Sequence, residues 1–115
     1  MALFSELIER GHSVKALLEG EERAHAERAL ELCQSLSQRP RENDAHGVSR
    51  LVLEPSDTEV KRELGRLVEF LGRRSATAIG LASLSRAALA DLARDRRGFD
   101  DACRDADRRF TLLGL

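Results

Sequence analysis

The sequence predicts an all-α protein, a compact helical bundle of four to five helices with an extended segment near residues 48–54. From residue 60 onward the apolar residues recur at intervals of three and four, the spacing that places them on one face of an α-helix. Such stripes contain Val60, Leu64, Leu67, Val68 and Leu71, and then Phe99, Ala102, Cys103, Ala106, Phe110 and Leu113. With 115 residues and 42% hydrophobic content, we expect one domain over residues 1–115 with a core of its own.

The first third of the chain predicts two helical stretches. We expect a short amphipathic helix over residues 3–10 that Gly11 ends, because glycine takes the left-handed conformation that closes many helices. Ser13 then caps a helix from about residue 14 to residue 37, which Gly20 either weakens or divides in two. The residues of this stretch that we expect to face inward are Leu17, Leu18, Ala26, Ala29, Leu30, Cys33 and Leu36.

Residues 38–55 predict a connection between helices. The first part, residues 38–47, is polar and contains Pro40 and Gly47, which is typical of a solvated loop. Residues 48–54 favour an extended conformation, but a single strand without a partner leaves its backbone groups unpaired. We therefore expect an extended segment that crosses the bundle, and a strand here would imply pairing with a second copy of the chain.

The second half predicts helices with clear boundaries at their starts. Ser56 and Glu59 have the spacing of a capping box, so a helix begins near residue 57 and ends between residues 72 and 75. The next helix begins near Ala76 and is rich in small side chains, which allow close approach between helices. Residues 94–98 are either a turn or the exposed middle of one long helix that continues to residue 113.

Charge and composition exclude several classes of protein. The 19 basic and 20 acidic residues give a formal net charge of −1, so no overall field attracts nucleic acid or anionic lipid. The apolar runs are far shorter than the roughly 18 residues that a membrane span needs. The acidic, amphipathic N-terminal segment differs from a secretory signal, and two cysteines do not make a disulfide framework, so we expect a cytoplasmic protein.

The function that this composition favours is non-enzymatic binding of another protein. A bundle of leucine and alanine is suited to a small adaptor, regulator or inhibitor that docks a helical surface on a partner protein or on a second copy of itself. On the first helix, Phe4, Leu7 and Ile8 are the predicted partner anchors, although the same residues also suit the chain's own core.

An alternative function is nucleic-acid binding by the arginine-rich second half. If Ser85 opens a recognition helix, residues 76–97 have the order of a helix-turn-helix. The residues that would then contact phosphate are Arg86, Arg94, Arg96 and Arg97. The sequence has no Trp or Tyr, so stacking platforms for bases are scarce.

A second alternative comes from a short motif in the predicted loop. Arg41 and His46 are separated by four residues, and this spacing resembles the ribonuclease motif of the all-helical HEPN domains. The resemblance covers six residues and implies that His46 is a general base and that Arg41 stabilises phosphate charge across a dimer interface. In that family the motif lies near the start of a late helix.

We expect no metal or cofactor. Glu22 and His25 have the E-x-x-H spacing of di-metal bundles, but the sequence has no second copy of this pair. Cys33 and Cys103 fall on apolar stripes, where cysteine usually acts as a small buried hydrophobe. The pattern leaves open whether these two thiols are neighbours in space.

Overall fold

The computed structural model describes residues 3–115; residues 1 and 2 of the predicted domain lie outside this part. Five helices pack together, which confirms the predicted helical bundle: α1 (Leu3–Lys15), α2 (Gly20–Ser37), α3 (Asp57–Gly72), α4 (Ala76–Leu92) and α5 (Arg96–Leu112). Two short strands, β1 (Arg41–Asn43) and β2 (Ser49–Leu51), lie between α2 and α3. No helix within residues 3–115 has the length and apolar character needed to span a membrane.

Helix α4 is the centre of the bundle, since it contacts all four other helices. Its small side chains explain this position, because a helix that is apolar on all sides is stable only when it is surrounded. At Gly80 the approach of α5 is so close that a Cβ would lie 2.6 Å from the Phe110 ring. The buried residues of α4 are Ala78, Gly80, Leu81, Ala82, Ser83, Leu84, Ser85, Ala87, Ala88 and Leu92.

The first helix differs from the prediction that Gly11 ends it. Helix α1 continues through Gly11 to Lys15, so Ser13 caps nothing. Gly11 is needed for packing, because a Cβ there would lie 2.7 Å from the Leu30 side chain of α2. The break comes after Lys15 instead, and Leu17, which we expected to face inward, is 60% exposed there.

The predicted loop and extended segment form a β-hairpin, which corrects the prediction of an unpaired segment. Strands β1 and β2 are antiparallel, with Arg41 opposite Leu51 and Asn43 opposite Ser49. The Asp44 carboxylate closes the turn by accepting hydrogen bonds from the backbone N–H groups of His46 and Val48, at 2.8 and 2.9 Å. Because the partner strand belongs to the same chain, the extended conformation does not require a second copy.

Helix α3 begins at Asp57 as predicted, but through different contacts. The Ser56 side chain makes no capping hydrogen bond. Instead the Asp57 carboxylate accepts from the Glu54 backbone N–H at 2.8 Å and from the Arg39 guanidinium at 2.7 and 3.0 Å. Arg39 also donates to the Val52 carbonyl at 2.6 Å. One guanidinium thus joins the end of α2, the exit of the hairpin and the start of α3.

The alternatives left open for residues 76–113 are resolved as two helices. Ser75 caps α4 by accepting from the Ala78 backbone N–H at 3.3 Å, and Asp95 caps α5 by accepting from the Gly98 N–H at 2.9 Å. Arg94 lies between the two helices and has a φ of 58°, a left-handed conformation that cannot continue α4.

Candidate functional site

A cavity of about 360 Å³ opens between the β-hairpin, the start of α1, the turn between α4 and α5, and α5 itself. Five arginines line it: Arg41, Arg50, Arg94, Arg96 and Arg104. We call this cavity the arginine groove. Three aspartates also line it, so its charged side chains sum to a formal +2, although the whole chain carries −1.

The floor of the arginine groove is apolar. Phe4, Val48 and Phe99 contribute to it, and the two phenylalanine rings contact each other at a tilt of 53° with 5.4 Å between centroids. The buried Cys103 thiol lies beside them. Burial, reinforced by the negative charges of Asp100 and Asp91, raises the pKa of Cys103 to about 11. The thiol is therefore protonated at neutral pH and is a poor nucleophile.

Two of the five arginines are committed to internal ion pairs. Arg41 donates to both oxygens of Asp91 at 2.6 and 3.1 Å, in the forked geometry that gives arginine–carboxylate pairs their strength. This pair joins β1 to α4. Arg50 lies 3.0 Å from the Asp44 carboxylate and so braces the turn of the hairpin. These two guanidinium groups hold the wall of the groove in place.

Among residues 3–115, the other three arginines make only long polar contacts. Arg94 Nη2 lies 3.5 Å from Glu42 and 3.5 Å from the Leu51 carbonyl oxygen. Arg96 lies 3.4 Å from Asp100, and Arg104 lies 3.4 Å from Asp101. Charge-assisted N–H···O bonds are normally about 2.7–2.9 Å long. These three guanidinium groups therefore keep donors with which they can bind an anion in the groove.

The backbone of Arg94 explains how this guanidinium reaches the groove. Its φ of 58° is a left-handed conformation that costs a residue with a Cβ roughly 1–2 kcal/mol, whereas glycine adopts it freely. Here it ends α4, since the Asp95 N–H donates to the Ala90 carbonyl at 2.8 Å as in a common helix C-terminal motif. An arginine at this turn brings a guanidinium to the groove, although glycine would fit the backbone conformation better.

The predicted partner anchors are part of the chain's own core. Phe4, Leu7 and Ile8 are all buried, and Leu7 and Ile8 are almost completely inaccessible. Only Phe4 reaches the arginine groove, where it belongs to the floor. In this fold the three side chains do not form an exposed docking face.

The predicted nucleic-acid contacts divide into two groups. Arg94 and Arg96 line the arginine groove, while Arg86 and Arg97 do not. The helix-turn-helix interpretation is corrected, because α4 runs without interruption from residue 76 to residue 92. Ser85 is buried in the middle of this helix, where its hydroxyl donates to the Leu81 carbonyl at 2.9 Å, and it opens no recognition helix.

The spacing of Arg41 and His46 does not produce a joint site in the described structure. Arg41 lies at the start of β1 and is paired with Asp91. His46 lies at the exposed turn of the hairpin. No hydrogen bond or ion pair within residues 3–115 joins the two side chains.

The residues considered as metal ligands have other contacts. The His25 ring stacks on Phe70 at 3.6 Å, with its Nδ1 2.7 Å from the Glu21 carbonyl oxygen, and the Arg74 guanidinium lies 4.1 Å from the same phenylalanine ring. Both cysteines are free thiols. In the described part of the chain, no three His, Cys, Asp or Glu side chains are grouped so that they could hold a metal ion.

Sequence reasoning missed Arg50 and Arg104 as members of the groove. Their positions carry no local signal, because the lining arginines come from β1, β2, the turn after α4, and α5. The sequence matches no protein-family model, and no curated protein and no solved structure is detectably similar to it.

Proposed function

We propose that this chain is a non-enzymatic protein-interaction module, a small adaptor, regulator or inhibitor that binds an acidic segment of a partner protein in the arginine groove. The observation that carries the proposal is the set of three guanidinium groups, those of Arg94, Arg96 and Arg104. They surround an apolar floor, and their polar contacts within the described part of the chain are 3.4–3.5 Å long. We also propose that the protein is cytoplasmic, as we expect from its sequence.

The lining favours a peptide over a nucleic-acid backbone. Asp91, Asp95 and Asp100 stand among the arginines, so the lining is not the continuous positively charged groove that usually follows a nucleic-acid backbone. The floor at Phe4 and Phe99 suits an apolar side chain next to an acidic one, as interfaces with a buried apolar centre and a polar rim require.

Selection from a displayed library of random peptides tests the proposal, because it does not require that the partner be identified first. We expect enriched peptides to contain Asp or Glu beside an apolar residue. The triple variant Arg94→Gln, Arg96→Gln, Arg104→Gln should bind them at least about tenfold more weakly, because each lost charge-assisted bond contributes to affinity. Its matched control is Arg62→Gln, Arg66→Gln, Arg73→Gln, which removes the same charge from exposed positions of α3 and of the residue after it, outside the groove.

Two results would contradict the proposal. Enrichment without acidic residues is one, and equal loss of affinity in the α3 control is the other, since that loss would reflect net charge alone. A single-stranded oligonucleotide tested in parallel covers the alternative function. If it bound with a steep salt dependence that the groove variant abolished, nucleic acid would replace the acidic peptide as the ligand.

A further inference from the structure

The hairpin leaves one set of backbone groups unpaired on each of its edges. Val52 donates to the Pro40 carbonyl and Asp44 donates to the Val48 carbonyl, at 3.3 and 3.0 Å. In an antiparallel pair, hydrogen-bonded and non-hydrogen-bonded positions alternate. The register therefore makes Arg41–Leu51 and Asn43–Ser49 the pairs whose N–H and C=O groups point outward.

The outer edge of β2 is the edge that adjoins the arginine groove. Val48, Ser49 and Arg50 are consecutive and all line the groove. The outward-pointing Leu51 carbonyl oxygen lies 3.5 Å from Arg94 Nη2, which places the guanidinium beside this edge. Within residues 3–115, no backbone hydrogen bond from another element reaches Ser49. Ser49 is exposed, whereas Leu51 is buried and its carbonyl already faces Arg94, so the N–H and C=O of Ser49 are the open groups of this edge. Open groups of this kind are a template for pairing with another chain.

We infer that the partner's acidic segment binds in an extended conformation, as a short third strand that pairs with the N–H and C=O of Ser49 on the outer edge of β2, with its carboxylates facing Arg94 and Arg96. The inference rests on the proposed function and specifies how the same groove is used. Strand addition supplies backbone hydrogen bonds, while side-chain contacts select the sequence. Together they explain why a cationic wall and an open strand edge occur at one place.

The geometry defines the chemistry of the occupant. Side chains of a strand alternate between its two faces, so residues two apart point the same way and lie about 6.5–7 Å from each other. A segment with acidic residues at every second position presents all its carboxylates to the arginines. The intervening residues face away from them, and apolar side chains suit those positions.

A blocked hexapeptide of alternating glutamate and valine is the probe for this mode of binding. Its affinity is measured by calorimetric titration, together with two analogues in which either all valines or all glutamates carry an N-methyl group. On a strand edge only every second peptide N–H is bonded. We expect one of the two analogues to bind at least tenfold more weakly than the parent hexapeptide, because its N-methyl groups replace the bonded N–H groups. The other analogue should bind within about twofold of the parent.

A substitution in the protein tests the same edge from the other side. Ser49→Pro removes an outward-pointing N–H without removing a bond of the β1–β2 ladder, and an edge strand tolerates proline at such a position. Ser49→Ala, which keeps the N–H, is the matched control. We expect the proline variant to bind the hexapeptide at least tenfold more weakly and the alanine variant to bind it like the unaltered protein.

The outcomes separate this inference from the proposed function. If both N-methylated analogues bind like the parent hexapeptide, and binding still depends on Arg94 and Arg96, strand addition is overturned and the groove proposal stands. If the hexapeptide does not bind at millimolar concentration, strand addition is also overturned. Selection from the peptide library then still tests whether the groove binds acidic peptides. Because the analogues change only the peptide, the test holds even where the proline variant fails to fold.

Discussion

Arg39 shows how much of this fold depends on a single side chain. Its guanidinium and the Asp57 carboxylate are only 12% and 7% exposed, and the Nε atom of Arg39 is buried without a hydrogen-bond partner. Removing one member of a buried ion pair leaves an uncompensated charge and costs about 3–5 kcal/mol. The pair is therefore a sensitive point of the structure.

The first prediction concerns the substitution Asp57→Asn. The Arg39 contact holds the pKa of Asp57 below its usual range, so the ionised form stabilises the fold. This contribution is complete above the unfolded pKa of about 4 and is lost as pH falls through the lower folded pKa. We expect Asp57→Asn to lower the free energy of unfolding by about 3–5 kcal/mol at pH 7.

Urea unfolding at pH 7 and near pH 2.5 measures this effect. The difference between the variant and the unaltered protein should shrink at the lower pH. Glu59→Gln is the control, because this carboxylate lies in the same first turn of α3 but is 74% exposed. A similar loss in both variants would contradict the assigned role of Asp57.

At this scale the sequence shows where α3 begins but not what fixes the position. Ser56 and Glu59 match a capping box, and the helix does start beside them. The capping contacts come instead from Asp57 and from Arg39, which is 18 residues away in the chain. A local pattern predicts where a helix starts, but it cannot predict a contact with a residue that is distant in sequence, such as Arg39.

At the scale of elements, α4 and α5 pack closely against each other at Gly80. Gly80 faces the Phe110 ring, so Gly80→Ala would place a methyl group 2.6 Å from a buried aromatic carbon. We expect this overpacking to cost about 1–3 kcal/mol, which outweighs the helix propensity of roughly 1 kcal/mol that alanine adds.

Gly65→Ala provides the opposite prediction within the same experiment. Gly65 lies on an exposed face of α3, and a Cβ there would meet no atom within 4 Å. The propensity gain of roughly 0.5–1 kcal/mol should then appear as higher stability. Thermal unfolding of both variants measures the two effects, and a stabilised Gly80→Ala would show that the helices lie farther apart.

Helices were predictable because their signal is local and repeats every 3.6 residues. The β-hairpin was not, since Arg41, Glu42 and Asn43 form an exposed polar strand without alternation between apolar and polar residues. The prediction that Gly11 ends the first helix was wrong because of a tertiary contact. Glycine ends many helices, but here close packing against Leu30 keeps it inside α1.

At the scale of the whole molecule, one hydrophobic core includes residues of all five helices and of β2. Cys33 lies within it with no exposed surface, and burial raises the pKa of this thiol to about 12. Its reaction with a thiol reagent therefore requires both exposure and ionisation. Such a thiol reports on opening of the core.

The third prediction uses this thiol as a probe. In the variant Cys103→Ser, we expect Cys33 to react with an aromatic disulfide reagent at least about 10³-fold more slowly than in urea-unfolded protein, as a stability of about 5 kcal/mol or more implies. The labelling rate should follow the global unfolding equilibrium as urea increases. Labelling that is fast and independent of urea would indicate a separately opening unit around α2.

The arginine groove exists only at this scale, which is why the sequence did not predict it. Its arginines range from Arg41 to Arg104, and each looks like an ordinary surface residue in its own segment. The grouping of Arg94 and Arg96 was visible as a basic cluster. What the cluster faces depends on how the hairpin packs beside α5, and no spacing in the chain encodes that.

The hairpin wall has a consequence for how tightly the groove can hold anything. Leu51 is its one buried side chain between residues 41 and 51, and the Arg41–Asp91 pair is one of the polar contacts that attach the hairpin to the helices. The side chains of this pair are 31% and 12% exposed, so salt screens it less than it screens a fully exposed pair, but it does not weaken the apolar core. We expect high salt to loosen the wall while the helices stay folded, and a ligand that spans both sides of the groove then loses part of its affinity because binding must restrict that motion. Affinity then becomes a measure of hairpin rigidity, so substitutions that stiffen the hairpin should tighten binding without touching the ligand.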